Sequence, residues 1–375
     1  MAAPHVIVGH ILKLDPLVSL TPAGFADLIE GHVRVHFADG EIAKLQHKDP
    51  AFERRHNMVT RMHQAGIPAY VEVEPESRLL ETLRIPDSGR VYGLFHDAAT
   101  GDVTLQLDNS AKPFTLPRRH PRFEDYFPLL IRALTDRETV VVTENDRTGE
   151  LIDIRRAARL AAPPAPVEPE APPPRLEALS LPAAAAPASP ADVLRMFRLV
   201  AEQTCDLAAP NRTCIPFRYP DNGCHARAHR MCRLIADAGF EPLKVWNYST
   251  TPKKPLVVQT EDAPGCQVKW SFHVAAVLLQ TNAAGKPDPM VIDPALFPDD
   301  GPVPVARWHG RQGPQDSCLV YTTPEPYLLL GPADVVYDPH DSLTIQELEK
   351  YRLLLEDRAA DIPFHCAKRR AVPAG

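Results

Sequence analysis

The sequence predicts an α+β protein with three folded parts: two small modules over residues 1–87 and 88–160, and a larger domain over residues 191–375. The chain has 375 residues, more than a single hydrophobic core usually organises. The segment 161–190 is rich in Pro and Ala and has no aromatic residue, which is typical of an extended linker. On both sides of it, runs with a strand period of two alternate with runs of helical period. A mixed α+β class follows from this alternation.

The composition favours globular domains and excludes some classes of function. Apolar residues make up 44% of the chain and the formal net charge is −7, so we predict no nucleic-acid partner, which would favour a basic face. No apolar run approaches the ~20 residues of a membrane span. The start, MAAPHVIVGHILKLDPLVSL, lacks a basic segment and is interrupted by His10, Lys13 and Asp15. We therefore predict no signal peptide, and hence a cytoplasmic protein or one exported without such a peptide.

The N-terminal half repeats one pattern over residues 33–85 and 103–154. Each copy opens with an alternating strand pattern and a basic segment, and then has a Pro two positions before a Phe (Pro50 and Phe52; Pro121 and Phe123). A helical stretch, a β-rich run (AYVEV or TVVVT), a polar turn and a last strand follow. We predict two small strand–helix–strand–strand modules. Neither copy contains a cysteine or an evident catalytic cluster, which favours a binding or regulatory role.

The C-terminal domain is predicted to begin and end with a helix. The stretch PADVLRMFRLVAEQT has a helical period, with Ser189 or Pro190 near its start. The stretch SLTIQELEKYRLLLEDRA predicts the last helix, with Thr344 and Glu347 at the spacing of a capping box. All seven cysteines of the chain lie beyond residue 204. We therefore expect the chemistry of the protein between these two helices.

Cys224 follows the turn-forming residues Asp-Asn-Gly and opens a helical pattern that ends near Gly239. This position places the sulfur in the first turn, on the face directed at the core. The positive end of the helix dipole stabilises a thiolate there, and free backbone N–H groups can hold an oxyanion. A thiolate so placed can attack a carbonyl carbon. By itself the pattern favours a small buried apolar residue, which is the commoner role of a lone cysteine.

A second segment supplies partners for this cysteine. VKWSFHVAAVLL (268–279) and MVIDP read as an antiparallel hairpin that turns around residues 282–285. A turn centred near residue 283 sets His273 opposite Asp293, with their side chains on one face. The carboxylate would then hold one imidazole nitrogen and leave the other for a nucleophile. Strand alternation predicts that Trp270 and Phe272 point away from His273 into the core.

Two further pairs of residues raise the questions of a disulfide and of a metal site. Cys205 and Cys214 bracket a short loop, and are either a disulfide or two thiols according to the compartment. The chain has no CxxC pair, so we predict no structural zinc site. His225 and His229 have the i, i+4 spacing of a metal pair, but no Glu beside the first and no evident third ligand. We predict no metal, with His225 at the cleft rim and His229 in a structural hydrogen bond.

Three segments resemble the bacterial protein-glutaminase (protein-glutamine deamidase) family: CIPFRYPDNGCHARAHRMCRLIADAGFEPLKVWNYS, VKWSFHVAAVLL and VIDPALFPDDGPVPVARW. Their motifs are specific and occur in the family's order, and the strong similarity spans residues 205–310. The resemblance implies a catalytic domain with the core of papain and transglutaminases. The catalytic Cys, His and Asp of the family fall on Cys224, His273 and Asp293.

The resemblance extends beyond the triad. It places the family's usual cysteine pair on Cys205 and Cys214. The segment GDVTLQL followed by FEDYFPLLIRALTDRETVVVTENDRTGELIDI is similar to the pro-region of these enzymes, which covers the catalytic cleft. We therefore expect the second module, residues 88–157, to contact the cleft and regulate it. The additional first module and the long Pro/Ala-rich segment depart from the family pattern.

The family implies hydrolysis of protein-bound glutamine to glutamate, with release of ammonia through a thioester on the nucleophile. No cofactor is implied, and the expected partners are proteins with exposed glutamine, with no membrane association. We expect Tyr219, Asn222 and Ser271 to line the cleft. The same triad also serves cysteine proteases and transglutaminases, which remain alternatives. A third alternative is a non-catalytic binding protein that works through its paired modules.

Overall fold

The computed structural model of the chain describes the following residues: 4–15, 31–145, 148–157, 186–207, 213–251, 254–313, 317–331 and 334–360. Helices and strands alternate along these ranges, and the predicted α+β class is confirmed. Of the predicted linker 161–190, only residues 186–190 lie within the described residues. Within the described ranges, none of the helices combines the length and apolar character that crossing a bilayer requires.

The described residues form two compact units. One contains the residues up to 92 together with 116–145 and 149–157. The other contains residues 93–115 and the described residues from 186 onward. A segment of the predicted second module therefore groups with the C-terminal domain. This segment includes Ala111, whose backbone forms hydrogen bonds with Asn222 and Ser271.

The first unit opens with these elements: β1 (His5–Gly9), β2 (Ile11–Asp15), β3 (His32–Phe37), β4 (Ile42–Gln46), α1 (Phe52–Ala65), β5 (Ala69–Val73) and β6 (Leu80–Arg84). Strands β1, β5 and β6 form one antiparallel sheet, and β2, β3 and β4 form another. Strand β3 buries every second residue, as the period of two predicts; these are Val33, Val35 and Phe37. Helix α1 buries Phe52 and Met62 and ends at a left-handed glycine.

The second repeat contains these elements: β7 (Asp87–His96), β8 (Val103–Leu107), β9 (Phe114–Leu116), α2 (Phe123–Asp136), β10 (Thr139–Asn145) and β11 (Glu150–Arg156). Strand β10 pairs antiparallel with β11 and with the start of β7. Both α1 and α2 begin at the Phe that follows a Pro by two positions. In both repeats the helix is followed by the two predicted strands, and AYVEV and TVVVT lie in β5 and β10.

The second unit continues with these elements: α3 (Pro190–Ala201), α4 (Cys224–Asp237), β12 (Leu243–Ser249), β13 (Leu256–Gln259), β14 (Gln267–Trp270), β15 (Phe272–Thr281), β16 (Pro287–Ile292), β17 (Val303–Pro304), α5 (Val305–Gly310), β18 (Ser317–Thr322), β19 (Pro326–Gly331), β20 (Asp334–Tyr337) and α6 (Ser342–Ala360). The order β17–β16–β15–β12–β18 forms an antiparallel sheet. The first eight residues of β15 are all buried, and α4 packs on this strand. Both faces of the central strand are therefore covered.

The two predicted terminal helices are present, but one is capped differently. Ser189 caps α3 by accepting the backbone N–H of Asp192, with Pro190 as the first helical residue. Helix α6 begins before the predicted capping box. The backbone N–H and the hydroxyl of Thr344 both donate to Asp338 at 2.7 Å. The predicted Thr344 cap is therefore wrong, because a carboxylate six positions earlier satisfies this helix start.

The β15–β16 hairpin has a register that differs from the prediction. Ala276 pairs with Ile292 and Val277 with Val291, so that the pairing is displaced by two residues and His273 is not directly opposite Asp293. The side chain of Asn282 accepts from the backbone N–H groups of residues 284 and 286 and closes a turn that lies further along the chain. Because the displacement is two residues, His273 and Asp293 keep the same face.

Candidate active site

Cys224 is the first residue of α4 and is 1% exposed. The residue before it, Gly223, has φ 75°, a left-handed conformation that favours glycine. A Cβ atom at Gly223 would lie 2.4 Å from ring carbons of Tyr351. Glycine therefore satisfies both the turn and the packing that hold the sulfur at the helix start. The positive end of the helix dipole acts there, as predicted.

His273 and Asp293 form a buried pair beside this helix start. Nε2 of His273 lies 2.8 Å from Oδ2 of Asp293, and the side chains are 1% and 3% exposed. His273 is near the start of β15, and Asp293 directly follows β16. Nδ1 of His273 is buried and has no hydrogen-bond partner among the residues that the structure describes. Because Nε2 is engaged by the carboxylate, Nδ1 is the nitrogen that can take a proton.

The charges around the pair favour a protonated imidazole. Burial by itself lowers the pKa of His273, but Asp293 and the side chain of Cys224 outweigh it and raise this pKa to about 9. Burial acts to raise the pKa of Asp293, yet His273, the indole of Trp308 and Arg227 together lower it. An imidazolium and a carboxylate are thus mutually compatible here, beside the sulfur of Cys224. This arrangement can deliver a sulfur nucleophile to an amide carbonyl.

Two tryptophans contact the pair, and one contradicts the predicted strand alternation. The Trp270 and His273 rings are nearly parallel, with centroids 4.4 Å apart. Trp270 is fully buried, as expected, but it does not point away from His273. The reason is a break at Ser271, which separates β14 from β15. The indole N–H of Trp308 donates to Oδ2 of Asp293 at 2.8 Å.

Asn222 and Ser271 hold the backbone of a distant loop. The N–H of Ala111 donates to Oδ1 of Asn222 at 3.0 Å, and the Asn222 amide donates to the hydroxyl of Ser110 at 2.8 Å. The backbone N–H and the hydroxyl of Ser271 both donate to the carbonyl of Ala111, at 2.8 and 2.9 Å. Ala111 is fully buried within the core of the second unit. Two of the three predicted cleft residues thus bind the backbone N–H and the backbone carbonyl of one loop residue, Ala111.

Tyr219, the third predicted cleft residue, lies in a separate cluster of buried side chains. Its ring stacks on Tyr351 with centroids 5.3 Å apart, and the guanidinium of Arg358 lies 4.1 Å from its centroid. Cys205 belongs to the same cluster. The structure joins Cys205 to Cys214 by a disulfide with Cα atoms 4.8 Å apart. This cluster supports the chain just before the helix that carries Cys224.

Arg227 has a role that the sequence reasoning missed. Its Nη1 donates to the carbonyls of Tyr219 at 3.0 Å and Asn222 at 2.7 Å, and its side chain is buried. Burial lowers the pKa of Arg227, while the charges of Cys224 and Asp293 act to raise it. A buried cation beside two candidate anions ties the preceding loop to the helix. An arginine three positions after a core-facing cysteine was the available signal, because it shares that buried face.

His225 is not at the cleft rim, contrary to prediction. It is 2% exposed, and the edge of its ring meets Tyr327 with centroids 5.0 Å apart. Burial lowers its pKa to about 3. His229 is also buried, and its Nδ1 lies 3.1 Å from the Lys244 ammonium, in line with the predicted structural hydrogen bond. Tyr327 on β19 covers this face of α4, which sequence periodicity did not indicate.

The structure places two carboxylates near His229 that the sequence did not connect with it. Side-chain ligand atoms of His229, Asp338 and Asp341 all lie within 4.8 Å of one another. Each has a structural partner: Asp338 caps α6, Asp341 is 3.2 Å from Arg233, and His229 accepts from Lys244. Lys244 contacts Nδ1 of His229, whereas Nε2 lies 3.4 Å from Oδ1 of Asp341 and is the nitrogen that faces the carboxylates. Helix capping accounts for the position of Asp338, and the ion pair with Arg233 accounts for that of Asp341.

Comparison with protein families assigns the domain that contains this site. Residues 193–312 match the family model described as Glutaminase. The match includes the helix start at Cys224, the β15–β16 hairpin and Trp308. The resemblance inferred from the motifs is therefore confirmed, and this segment is a glutaminase-family domain. Among curated proteins, the comparison found no match.

Solved structures share the fold over much of the chain. A crystal structure of pro-protein-glutaminase is 22% identical and has a TM-score of 0.52, with 71% of this chain and 92% of that chain covered. A mutant of pro-protein-glutaminase gives the same values. The NMR structure of protein-glutaminase from Chryseobacterium proteolyticum is 26% identical over 50% of this chain and 95% of that chain, with a TM-score of 0.38. Over the 71% of the chain that the first of these matches covers, the fold is that of pro-protein-glutaminase.

Proposed function

We propose that the domain over residues 191–375 hydrolyses the side-chain carboxamide of protein-bound glutamine to glutamate and ammonia. The observation that carries the proposal is the buried His273–Asp293 pair beside Cys224 at a helix start, within a glutaminase-family segment. In this proposal Cys224 is the nucleophile, His273 the base and Asp293 the group that orients the imidazole. The core belongs to the papain and transglutaminase class of folds.

In the first half of the reaction, Nδ1 of His273 takes the proton of the Cys224 thiol. The thiolate attacks the carboxamide carbon of the glutamine and forms a tetrahedral oxyanion. The backbone N–H of Cys224, which lies in the first turn of α4, donates to this oxygen, a contribution of ~3 kcal/mol for one donor in comparable sites. The imidazolium then protonates the amide nitrogen, the C–N bond breaks, and ammonia leaves a γ-glutamyl thioester.

In the second half, His273 takes a proton from a water molecule that attacks the thioester carbon. The second tetrahedral intermediate collapses with cleavage of the C–S bond, and the sulfur leaves as a thiolate beside the imidazolium. Glutamate is released and the resting site is restored. The Asp293 carboxylate stabilises the imidazolium in both halves through its 2.8 Å contact with Nε2, without changing its own protonation state.

The loop over residues 108–113 is proposed to inhibit this site within the same chain. Asn222 accepts the N–H of Ala111, and Ser271 donates twice to its carbonyl. A substrate main chain presents the same two groups at the target residue. The loop therefore competes with substrate for these partners, which supports a regulatory role for the module over residues 88–157. The preceding module, 1–87, is proposed as a further copy without this loop.

One assay separates deamidation from the alternatives. A recognition sequence for a specific protease is inserted into segment 161–190, the full-length chain is folded, and the segment is then cut. The cut protein is incubated with casein, and ammonia, substrate chain length and cross-links are measured. Ammonia without cleavage or cross-links is the expected result, and a Cys224→Ala control should release none.

The other outcomes point elsewhere. Casein fragments would indicate a cysteine protease, and cross-linked casein a transglutaminase. If neither the cut protein nor the Cys224→Ala control releases ammonia, although both are folded, the binding-protein alternative is favoured. A cut protein that is no more active than the intact chain, although both release ammonia, would reject the inhibitory role of the loop and leave deamidation standing.

A further inference from the structure

His273 has two indole neighbours. The ring of Trp270 lies 10° from parallel to the imidazole with centroids 4.4 Å apart, and the ring of Trp308 lies 27° from parallel with centroids 5.5 Å apart. All three side chains are buried, with exposures of 0–1%. Such parallel contacts with an imidazolium are cation–π interactions, and they strengthen when water is excluded.

Each indole also anchors the imidazole to a different part of the site. The N–H of Trp270 donates to the carbonyls of Pro220 and Asp221, both at 3.0 Å. These residues belong to the loop that leads into Cys224. Trp270 therefore links the position of the base to the position of the nucleophile. The same side chain is fixed at the end of β14, one residue before the substrate-like contacts of Ser271.

The other indole is anchored to the carboxylate. The N–H of Trp308 donates to the oxygen of Asp293 that also contacts His273, at 2.8 Å in both cases. The backbone carbonyl of Trp308 accepts from Gln312, whose side chain accepts in turn from Asn247. Asn247 is the cross-strand partner of His273 in the β12–β15 pairing. A closed set of contacts thus surrounds the imidazole and its carboxylate.

We propose that Trp270 and Trp308 are positioning residues that fix the His273 ring and stabilise its protonated form. The inference rests on the proposed function, in which His273 cycles through an imidazolium. Asp293 contacts the ring at Nε2 in its edge, whereas the two indoles lie against the faces of the ring. Their effect favours the thiolate–imidazolium pair before substrate binds, and it favours the imidazolium that protonates the leaving nitrogen.

Among the residues that the structure describes, few charged groups act on His273. Asp293 after β16 favours the protonated ring, and so does a thiolate at Cys224 on α4; both raise the pKa of His273 against the effect of burial. Arg227 on α4 is a cation that acts on Cys224 and Asp293. The indoles add to this set from β14 and α5. Their contribution can therefore be isolated by substituting the rings while these three groups stay in place.

The test is a titration of His273 in the intact full-length chain. The protein is labelled with ¹³C at the imidazole Cε1 atoms, and NMR spectra are recorded against pH. The His273 signal is assigned by its absence in His273→Gln. Trp270→Leu removes the π face and the N–H together, while Trp270→Phe removes only the N–H. Trp246→Leu is the matched control, because Trp246 is equally buried and contacts the rings of Tyr248 and Phe272 instead.

The expected midpoint of His273 falls by about one pH unit in Trp270→Leu, a tenfold loss of proton affinity. Trp270→Phe should fall by less than half as much, and Trp246→Leu should leave the midpoint in place. Unchanged midpoints in folded Trp270→Leu would overturn the proposal. An equal fall of the midpoint in Trp270→Leu and Trp270→Phe would overturn the proposal as well. Both variants lose the indole N–H, and that loss would then explain both shifts.

A second measurement holds even if Trp270→Leu does not fold. An imidazolium quenches the fluorescence of an indole that it contacts. The tryptophan emission of the unsubstituted protein should therefore rise with pH, with its midpoint at the NMR midpoint of His273. Trp270→Phe should lose most of this rise, and a flat emission curve in the unsubstituted protein would overturn the contact. Neither titration requires turnover, so their failure is distinct from a failure to release ammonia.

Discussion

The backbone N–H of Ala111 donates to the side chain of Asn222 at 3.0 Å, across 111 positions of sequence. Asn222 immediately precedes the Gly-Cys pair at the start of α4, so a loop of the second repeat is bonded to the turn that carries Cys224. The same loop is held at its carbonyl by Ser271, two residues before His273. One short peptide thus contacts the residues that support both the proposed nucleophile and the proposed base.

The first prediction concerns this loop. Ala111→Asp places a carboxylate in a fully buried position, and an unpaired buried charge strongly disfavours the docked loop. A penalty of about 1.4 kcal/mol already shifts an equilibrium tenfold, so the uncut chain should release ammonia about tenfold faster or more. Ala99→Asp, on the exposed turn before β8, should have no effect. An Ala111→Asp chain that stays inactive until it is cut would contradict the model.

The second prediction concerns thiol reactivity. In the cut protein, iodoacetamide should modify Cys224 and abolish ammonia release in proportion to labelling. Cys232 lies two turns further along α4, and burial raises its pKa to about 11, so it should stay unlabelled. Mass spectrometry of the peptides gives both values. Cys232→Ser is the matched variant and should keep its activity, whereas Cys224→Ser should lose it. Labelling of Cys232 ahead of Cys224 would refute the assignment.

The third prediction concerns pH. Burial lowers the pKa of His273, but Asp293 and Cys224 raise it to about 9. The imidazolium form is lost above this value, so kcat/KM of the cut protein should fall as pH rises through about 9. The pKa of His273 in the folded protein lies above its ordinary value of 6.5. Protonation of His273 therefore stabilises the fold fully below pH 6.5. This stabilisation is lost as the pH rises through about 9. A rate profile that keeps rising beyond this value contradicts the assignment.

The fourth prediction separates Asp293 from other acidic residues. Asp293→Asn keeps the shape but removes the charge that holds the imidazolium, so burial then dominates and the alkaline limb moves to lower pH. The rate constant kcat should fall on the order of 10⁴-fold, as for other triads that lose this carboxylate. Asp299→Asn, on an exposed turn, is the control and should match the unsubstituted protein. Equal pH profiles for Asp293→Asn and the control would exclude the orienting role.

The fifth prediction concerns the two glycines that flank α4. Gly223→Ala meets the Tyr351 ring at 2.4 Å and has φ +75°, so both a clash and backbone strain act. The free energy of unfolding should fall by about 2–4 kcal/mol. Gly239→Ala, at the other end, has φ +86° with nothing within 4 Å, and should lose only about 1 kcal/mol. Urea denaturation measures both, and equal losses would show that the Tyr351 contact contributes nothing.

Local patterns predicted much of the candidate site. The turn residues and the helical period placed Cys224 at a helix start, and the strand period placed His273 and Asp293 on one face of a hairpin. The register could not be derived, because the Asn282 side chain, rather than the loop length, fixes the turn. The Trp270 contact was missed because a one-residue break at Ser271 reverses the expected side-chain direction.

Contacts between distant segments were beyond the reach of local patterns. The burial of His225 depends on Tyr327, a hundred positions later, and the capping of α6 depends on a carboxylate outside the predicted box. The 108–113 loop has no unusual composition that marks it as a ligand of Asn222. Arg227 is the exception, because a charged residue on an otherwise apolar helix face signals a buried partner in the sequence itself.

The proposed inhibition by the loop that contains Ala111 also has a consequence for the kinetics of activation. While the chain is intact, the loop and its binding site are tethered, and their reassociation does not depend on protein concentration. Once the Pro/Ala-rich segment is cut, the four hydrogen bonds of the loop region persist until the released piece diffuses away. Enzyme activity should therefore lag behind proteolysis, and the lag should shorten on dilution and lengthen in crowded solution.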